Sequence, residues 1–153
     1  MSDPARLAVS SGQLEGGIHR LPVRVYYEDT DAGGIVFYAN YLRYTERART
    51  DMLRLIGITQ SRLAAEDGLI FAVRRCEIDY RAPARLDDEL EVRSRLTRIG
   101  GASIDAEQSI FRGGERLVDS SLAIACIGRD GRPCRLPSPI RTALSACVTP
   151  AGA

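Results

Sequence analysis

Alternating apolar and polar residues predict β-strands along most of the chain. Successive side chains of a strand point to opposite faces of a sheet, so a half-buried strand is apolar at every second position. The alternation predicts five strands, over residues 21–28, 69–80, 89–99, 102–112 and 116–127. Glycine pairs at 100–101 and 113–114 separate the last three segments. Links this short predict tight turns and therefore antiparallel neighbours.

Residues 41–56 have helical instead of alternating spacing. Apolar side chains recur there at steps of three or four and share one helix face: Tyr41, Tyr44, Ala48 and Met52. Asn40 is a suitable N-cap, because its side chain can accept hydrogen bonds from the first free amides, and Gly57 is a natural end. A weaker helix is predicted over 61–67 and a short one over 140–148. One long helix against one antiparallel sheet is a two-layer α+β domain.

The two ends of the chain lack this patterning. Residues 1–20 are rich in Ser, Gly and Ala without periodicity, which predicts a flexible N-terminal tail. Prolines at 133, 137 and 139 interrupt the segment 133–153, which predicts a largely irregular C-terminal tail. The folded domain is therefore expected over residues 21–132.

Length and composition suit one domain, since the chain has 153 residues, of which 44% are hydrophobic and 27% charged. A net charge of +1 gives no electrostatic indication of nucleic acid or an anionic membrane as partner. No segment has the long apolar run expected of a signal peptide or a membrane span, which favours a cytoplasmic location.

The residue types present exclude several kinds of site. The chain has no lysine, so mechanisms that need one are excluded. Its single histidine, His19, precedes the first predicted strand and would have to serve any Ser-His-Asp or Cys-His site. The four cysteines form no Cys-x-x-Cys pair, so no metal site is expected. Cys76 and Cys126 lie in apolar runs and are predicted to be buried, reduced thiols.

The most unusual stretch lies between the first predicted strand and the long helix. Glu28, Asp29 and Asp31 place three carboxylates within four residues, and Gly33 and Gly34 follow. A carboxylate in such a loop can act as a general base or a nucleophile. The free amides at the following helix start can polarise a carbonyl as its oxygen gains charge. These features favour acyl transfer without Ser, Cys or His, although the pattern is also typical of a solvated acidic turn.

The order of Asp31, Gly34, an apolar run over 35–37 and then Tyr41 resembles the active-site signature of the 4-hydroxybenzoyl-CoA thioesterase family. The resemblance extends over residues 23–126 and is greatest to bacterial acyl-CoA thioesterases associated with the Tol-Pal system. Three separated segments agree with that branch in order and spacing: 23–34, 44–50 and 82–88.

The resemblance implies a hot-dog fold, in which a curled antiparallel sheet of about five strands wraps one long central helix. It implies hydrolysis of acyl-CoA thioesters with Asp31 as the catalytic carboxylate. The backbone amide of Tyr38, or of Ala39 within alignment error, is then expected to polarise the thioester carbonyl. Coenzyme A is part of the substrate, so no separate cofactor is expected. Members of the family pair their sheets, which implies a homodimer or homotetramer.

Four residues are candidates for binding the substrate: Gly34, Arg74, Arg75 and Arg98. Gly34 belongs to the motif itself. The two arginines of the strand-like run can meet the coenzyme phosphates or face solvent, and the same two interpretations hold for Arg81 and Arg85. Benzoyl-CoA members carry basic residues near the turn between the third and fourth strands, where this chain has Arg98 beside two glycines.

Two other functions compete with this interpretation. Asp29 and Asp31 after an apolar strand also resemble the start of a haloacid-dehalogenase phosphatase, but that family needs a distal lysine, which this chain lacks. A non-catalytic acyl-CoA or protein-binding module on the same fold stays open, since fold alone does not define function. The acidic loop favours catalysis, because a pure binder has no need of Asp31.

Overall fold

The computed structural model describes residues 5–149. Within them lie six strands: β1 (Gln13–Glu15), β2 (Ile18–Arg24), β3 (Ile70–Tyr80), β4 (Glu89–Ile99), β5 (Ser103–Arg112) and β6 (Glu115–Ile127). Three α-helices accompany them: α1 (Asn40–Leu55), α2 (Gln60–Asp67) and α3 (Ser138–Ser145). The strands form one antiparallel sheet in the order β1-β2-β4-β5-β6-β3. This is the predicted α+β hot-dog architecture.

The long helix α1 lies against the sheet and buries the face that its spacing predicts. Tyr41, Tyr44, Ala48 and Met52 are each at most 3% exposed. The apolar side chains in the same two core clusters include those of the central strands: Val92, Leu96, Ile104 and Ile110. Full burial of one large apolar side chain contributes about 1.5–3 kcal/mol, so this contact is the main source of stability for α1.

One edge of the sheet is left uncovered. Within the described chain β3 is the outermost strand and pairs with β6 alone, while α1 packs over β2 and β4. Ile70, Val73 and Tyr80 are therefore 52%, 45% and 41% exposed. The prediction that Cys76 is a buried thiol is wrong for the same reason, whereas Cys126 on β6 is buried as predicted.

The N-terminal part differs from the prediction. Residues 13–20, predicted to be flexible, form β1 and the start of β2, so the sheet has six strands instead of about five. Gly16 and Gly17 have φ values of +59° and +78° and make the two-residue turn between these strands. Alternation did not indicate this hairpin, because β1 is only three residues long. The strand predicted over 21–28 ends at Arg24, and a 3-10 turn, Tyr27–Asp29, follows.

The C-terminal part also contains regular structure where a largely irregular tail was predicted. α3 corresponds to the short helix predicted over 140–148 and carries Pro139 in its first turn, where the missing amide costs no helical hydrogen bond. Leu144 is fully buried in the core, and Val148 then forms a parallel bridge with Leu96. The tail predictions for residues 1–4 and 150–153 lie outside the described residues.

Candidate active site

The link from β2 to α1 folds back on itself and carries the acidic motif. The Asp31 amide donates to the Ile35 carbonyl at 2.9 Å, and the Phe37 amide donates to the Asp29 carbonyl at 3.0 Å. Gly34 lies at the turn between the two arms with a φ of +77°, a conformation that glycine adopts without strain. Its amide donates to the Asp31 carbonyl at 3.1 Å. Gly34 thus has a backbone role in this loop, and its contact with substrate stays a prediction.

Asp31 is exposed on this loop. Its Oδ1 atom accepts a hydrogen bond from the Gly33 amide at 2.8 Å, which fixes the orientation of the carboxylate. Its Oδ2 atom makes no hydrogen bond to any residue between 5 and 149. A carboxylate with one fixed and one free oxygen can take a proton from water or attack a carbonyl carbon.

Asp29, two residues earlier, is fully engaged by the loop. Its Oδ2 atom accepts the Tyr26 amide at 2.8 Å, and its Oδ1 atom accepts the side-chain amide of Asn40 at 2.7 Å. The N-cap prediction for Asn40 is therefore wrong: the cap residue is Ala39, and the Asn40 side chain donates to Asp29 instead. A hydrogen bond to a carboxylate is stronger than one between neutral groups, which accounts for this choice of partner.

The backbone amides just before α1 have no internal acceptor. Neither the Tyr38 amide nor the Ala39 amide donates to an atom of the described residues. Both precede Asn40, the first residue of α1, so the positive end of the helix dipole lies here. A carbonyl oxygen that gains negative charge is stabilised by an amide in such a position.

Three tyrosines line an open cleft beside these amides. Tyr38, Tyr41 and Tyr80, together with Ile35 and Pro83, border a space of about 290 Å³. The Tyr80 hydroxyl donates to the Tyr38 carbonyl at 3.2 Å. Burial raises the pKa of Tyr41 and of Tyr80, so both hydroxyls stay protonated at neutral pH.

Tyr80 was not predicted from the sequence to line this cleft. It lies 42 residues from Tyr38 along the chain, and local patterns carry no information about contacts at that separation. The available signal was its position at the end of a predicted strand, just before Pro83, where the chain leaves the sheet.

The arginines predicted to bind the substrate do not lie beside Asp31 within one chain. Along β3, the path from Arg75 to the cleft residue Tyr80 is about 17 Å at the usual rise of a strand, and Arg74 is farther still. Arg75 also forms an ion pair with Glu77.

Arg98 is more distant. It lies near the end of β4, and Glu89, at the start of that strand, pairs with the last residue of β2, Arg24. The nine steps along the strand from Glu89 to Arg98 span about 30 Å. Arg98 Nη1 lies 3.8 Å from the Asp105 carboxylate. This geometry does not support a contact between Arg98 and a coenzyme bound at the acidic loop of the same chain.

Arg85 is an arginine whose backbone the fold brings to the acidic loop. It forms an antiparallel bridge with Ile35, and its amide donates to Asp88 Oδ2 at 2.8 Å. Its side chain is exposed and forms no ion pair with a residue of the described part of the chain. Arg81, by contrast, lies 2.8 Å from the Asp119 carboxylate. Of these two arginines, Arg85 is the one available to an incoming anion.

A second, more enclosed cavity of about 40 Å³ lies between α1 and the sheet. Its apolar lining includes Met52, Val73 and Ile124. At its polar side, Arg49 donates to Gln108 at 2.9 Å. The Asp31 loop contributes no residue to this cavity, which instead reaches the uncovered strand β3 through Val73.

His19 does not form a catalytic triad. It lies inside β2, not before the first strand as predicted, and it is fully buried. Its Nε2 atom lies 2.7 Å from Asp51 Oδ2, and its Nδ1 atom has no hydrogen-bond partner among the described residues. Within the described part of the chain, neither ring nitrogen of His19 contacts a serine or cysteine that could act as a nucleophile. No group of three metal-ligating side chains occurs between residues 5 and 149.

The antiparallel sheet and the long helix have the hot-dog fold, and comparisons with known proteins identify the chain as a thioesterase. The family described as Thioesterase superfamily matches residues 33–118, more than half of the chain. The chain belongs to the thioesterase superfamily, which confirms the predicted resemblance at the level of the superfamily, while the Tol-Pal-associated branch stays a prediction. Because this match begins two residues after Asp31, it leaves the catalytic assignment of that residue a prediction.

Individual relatives extend the similarity over more of the chain. Acyl-CoA thioesterase YbgC of Haemophilus influenzae is 42% identical over 123 residues, which are 80% of this chain and 90% of the relative. Acyl-CoA thioester hydrolase YbgC of Escherichia coli O157:H7 is 44% identical over 111 residues, covering 72% and 82%. Among solved structures, a probable thioesterase from Bartonella henselae has a TM-score of 0.76 at 39% identity, covering 78% of this chain and 99% of that one. The predictions of an enzyme and of the hot-dog fold are confirmed.

No helix that the structure describes between residues 5 and 149 is both long and apolar enough to cross a membrane.

Proposed function

We propose that this protein hydrolyses acyl-CoA thioesters to the free acid and coenzyme A, with Asp31 as the reacting carboxylate. One observation carries the proposal: a single loop holds a carboxylate with a free oxygen and a Tyr38 amide with no acceptor among the described residues. The names of relatives that are 42% and 44% identical to the chain support acyl-CoA as the substrate class.

Two routes fit this arrangement. As a general base, Asp31 takes a proton from water while the water oxygen attacks the thioester carbon. The Tyr38 amide stabilises the negative carbonyl oxygen, and the intermediate collapses by expelling the coenzyme thiolate, which takes up a proton. As a nucleophile, Asp31 expels the thiolate itself and forms an anhydride that water then cleaves. Appearance of oxygen-18 from water in Asp31 during a single turnover identifies the anhydride route, because the general-base route never places a water oxygen in that carboxylate.

The coenzyme phosphates are proposed to bind at Arg85, because its guanidinium is positively charged and exposed. The unpaired guanidinium of Arg85, whose backbone bridges Ile35 of the loop, is suited to the coenzyme phosphates. Gly34 is proposed to lie near the thioester, where the absence of a side chain leaves space. Arg74, Arg75 and Arg98 lie far along their strands from the residues beside the loop, so their contact with coenzyme phosphates is proposed for the site of a second chain.

We also propose a homodimer formed through β3, with a homotetramer as a further assembly. The outer side of this 11-residue strand has backbone amides and carbonyls without a neighbouring strand in the described chain, and its apolar side chains are exposed. Antiparallel pairing of two copies about the middle of β3 would bring the start of one β3 beside Tyr80 of the other. The cavity that Val73 lines would then approach the second chain's acidic loop and could receive the acyl chain.

A hydrolysis assay over acyl-CoAs of varied chain length, with wild type and Asp31→Asn, tests the proposed activity. Binding of acyl-CoA without turnover by the wild type would favour the non-catalytic binding module instead. The cytoplasmic location and the Tol-Pal association remain predictions, and the gene neighbourhood is the first observation to test the association.

A further inference from the structure

Asp29 and Asn40 connect the two reacting groups of the proposed site. Asp31 follows Asp29 by two residues, and Tyr38 precedes Asn40 by two residues. The Asn40 side chain donates to Asp29 Oδ1 at 2.7 Å. One hydrogen bond therefore closes the segment that carries both the carboxylate and the free amide.

The contact lies where it can fix the loop. Asn40 is 6% exposed and belongs to the first turn of α1, which packs on the sheet. The second carboxylate oxygen of Asp29 accepts the Tyr26 amide at 2.8 Å, and its backbone carbonyl accepts the Phe37 amide at 3.0 Å. Asp29 thus joins the entry of the loop, its exit and the helix.

Tyr44 places a buried phenol close to this contact. It lies one turn after Asn40 on α1 and is 1% exposed. Burial raises the pKa of Tyr44, and the nearby Asp29 carboxylate raises it further. The phenol is therefore neutral at all physiological pH values. A charge-assisted hydrogen bond beside a neutral buried group is stronger than the same bond in bulk water.

We propose that Asp29 and Asn40 are positioning residues, whose hydrogen bond sets the separation between the Asp31 carboxylate and the Tyr38 amide. The inference rests on the proposed thioesterase site. A displacement of reacting groups by about 1 Å can lower a rate by roughly 10². Both oxygens of Asp29 and the Asn40 side-chain amide are occupied by internal contacts, so loss of their bond should lower kcat and leave KM nearly unchanged.

An exchange of the two side chains tests the proposal. Asn40→Asp places two carboxylates against each other, and adding Asp29→Asn restores one donor and one acceptor. We expect Asn40→Asp to lower kcat for an acyl-CoA by about 30- to 100-fold with KM changed less than about threefold. The double variant should recover to within about fivefold of the wild-type kcat, because the hydrogen bond re-forms in the opposite sense.

Hydrogen exchange of residues 29–39, measured on the same proteins without substrate, gives a readout independent of activity. Exchange should rise in Asn40→Asp and return to the wild-type rate in the double variant. The positioning role would be overturned by unchanged exchange in Asn40→Asp, or by a double variant whose kcat is as low as that of Asn40→Asp. Asn40→Ala, which removes the donor without adding charge, replaces Asn40→Asp if the latter does not fold.

The same measurements distinguish failure of the proposed function from failure of the positioning role. If the wild type hydrolyses no acyl-CoA, or if Asp31→Asn retains full activity, the proposed site is wrong, while the exchange measurements still decide whether Asp29 and Asn40 hold the loop. If the wild type is active, Asp31→Asn is inactive and Asn40→Asp keeps the full kcat, the site stands and the positioning role is overturned.

Discussion

The Nε2 atom of His19 lies 2.7 Å from Oδ2 of Asp51 and joins strand β2 to the central helix α1. The same oxygen accepts the Gly12 amide at 2.8 Å, so the N-terminal segment is attached to α1 from Gly12 onward. The Nδ1 atom of His19 is buried without a partner in the described chain. This fits a proton on Nε2, because a buried acceptor without a partner is tolerated more readily than a buried N–H group.

Removal of this acceptor should destabilise the fold. Asp51→Ala leaves the His19 ring and the Gly12 amide without their shared partner in a largely buried place. We expect the free energy of unfolding to fall by about 1–3 kcal/mol, measured by denaturant titration. Asp67→Ala, which removes an exposed carboxylate at the end of α2, should change it by less than about 0.5 kcal/mol. Equal losses in the two variants would show that the shared contact contributes nothing of its own.

These contacts show where local pattern was sufficient and where it was not. Alternation and helical spacing predicted α1 and the four long strands, because these elements bury one face and the burial imposes the period. Helix-capping preferences predicted the wrong role for Asn40, since its actual partner, Asp29, is 11 residues away. The burial of His19 likewise depends on α1, through Asp51. The Gly16-Gly17 pair was a local signal of the β1–β2 hairpin, but β1 is too short to show alternation.

The candidate site likewise contains residues that local sequence predicted and residues that it did not. The motif predicted Asp31, Gly34 and the Tyr38 amide, which lie together because they belong to one loop. Tyr80 comes from a distant strand and joins that loop only through tertiary packing. The exposure of Cys76 was missed because alternation reports which face of a strand is apolar and cannot report whether a helix covers that face.

Asp31→Asn keeps the shape of the side chain and removes its ability to accept a proton or attack carbon. We expect kcat to fall roughly 10²–10⁴-fold, with the fold and the binding of coenzyme A retained because the residue is exposed. Glu28→Gln is the matched control, since Glu28 is an exposed neighbour without a hydrogen bond in the described chain. It should lose less than about tenfold. Asp29 is unsuitable as a control because both of its oxygens accept hydrogen bonds. Similar losses in the two variants would point to bulk electrostatics.

The coenzyme phosphates should account for much of the binding. Arg85→Ala should raise KM for an acyl-CoA about tenfold or more, since a hydrogen bond to a charged group contributes about 1.5–3 kcal/mol. The matching N-acetylcysteamine thioester lacks phosphates, so the substitution should leave its KM unchanged, and the wild type should turn it over poorly. Arg62→Ala, on the exposed side of α2, serves as the control. An equal effect of Arg85→Ala on both thioesters would exclude a phosphate contact.

Acid should weaken the hydrogen bonds by which the Asp88 carboxylate holds the Arg85 backbone and Arg112. Burial alone would raise the pKa of Asp88, but hydrogen bonds from the Arg112 guanidinium and the Arg85 amide bring it below the ordinary value of 3.8. The folded protein therefore binds this proton less readily than the unfolded chain. The resulting stabilisation is present above the ordinary pKa and is lost as the pH falls through the lowered one.

Asp88→Asn should consequently lower the free energy of unfolding at neutral pH, and its difference from the wild type should shrink below about pH 4. Denaturant titrations at about pH 7, 5 and 3.5 measure this difference. A difference that stays constant across these pH values would mean that the Asp88 charge does not contribute to stability.

The uncovered edge of β3 should be a contact between copies of the chain. Val73 is 45% exposed on an edge strand, and an exposed apolar edge favours pairing with another strand. Sedimentation should show the wild type as a dimer or larger, and Val73→Glu should shift it toward the monomer, because pairing would bury the added charge. Leu55→Glu is the matched control, since Leu55 is 42% exposed but lies at the end of α1 and not on this strand.

The same variants decide whether assembly matters for activity. If the cavity of one chain receives the acyl group held at the other chain's Asp31 loop, the dissociated Val73→Glu protein should lose most of its activity even where its unfolding midpoint is unchanged. Ile70→Glu, on the same strand but outside the cavity lining, should also dissociate and lose activity, which separates loss of assembly from a charge placed in the cavity. Leu55→Glu should remain assembled and active. A wild type that sediments as a stable, active monomer would contradict both the proposed dimer and the shared site, and a fully active Val73→Glu monomer would contradict the shared site alone.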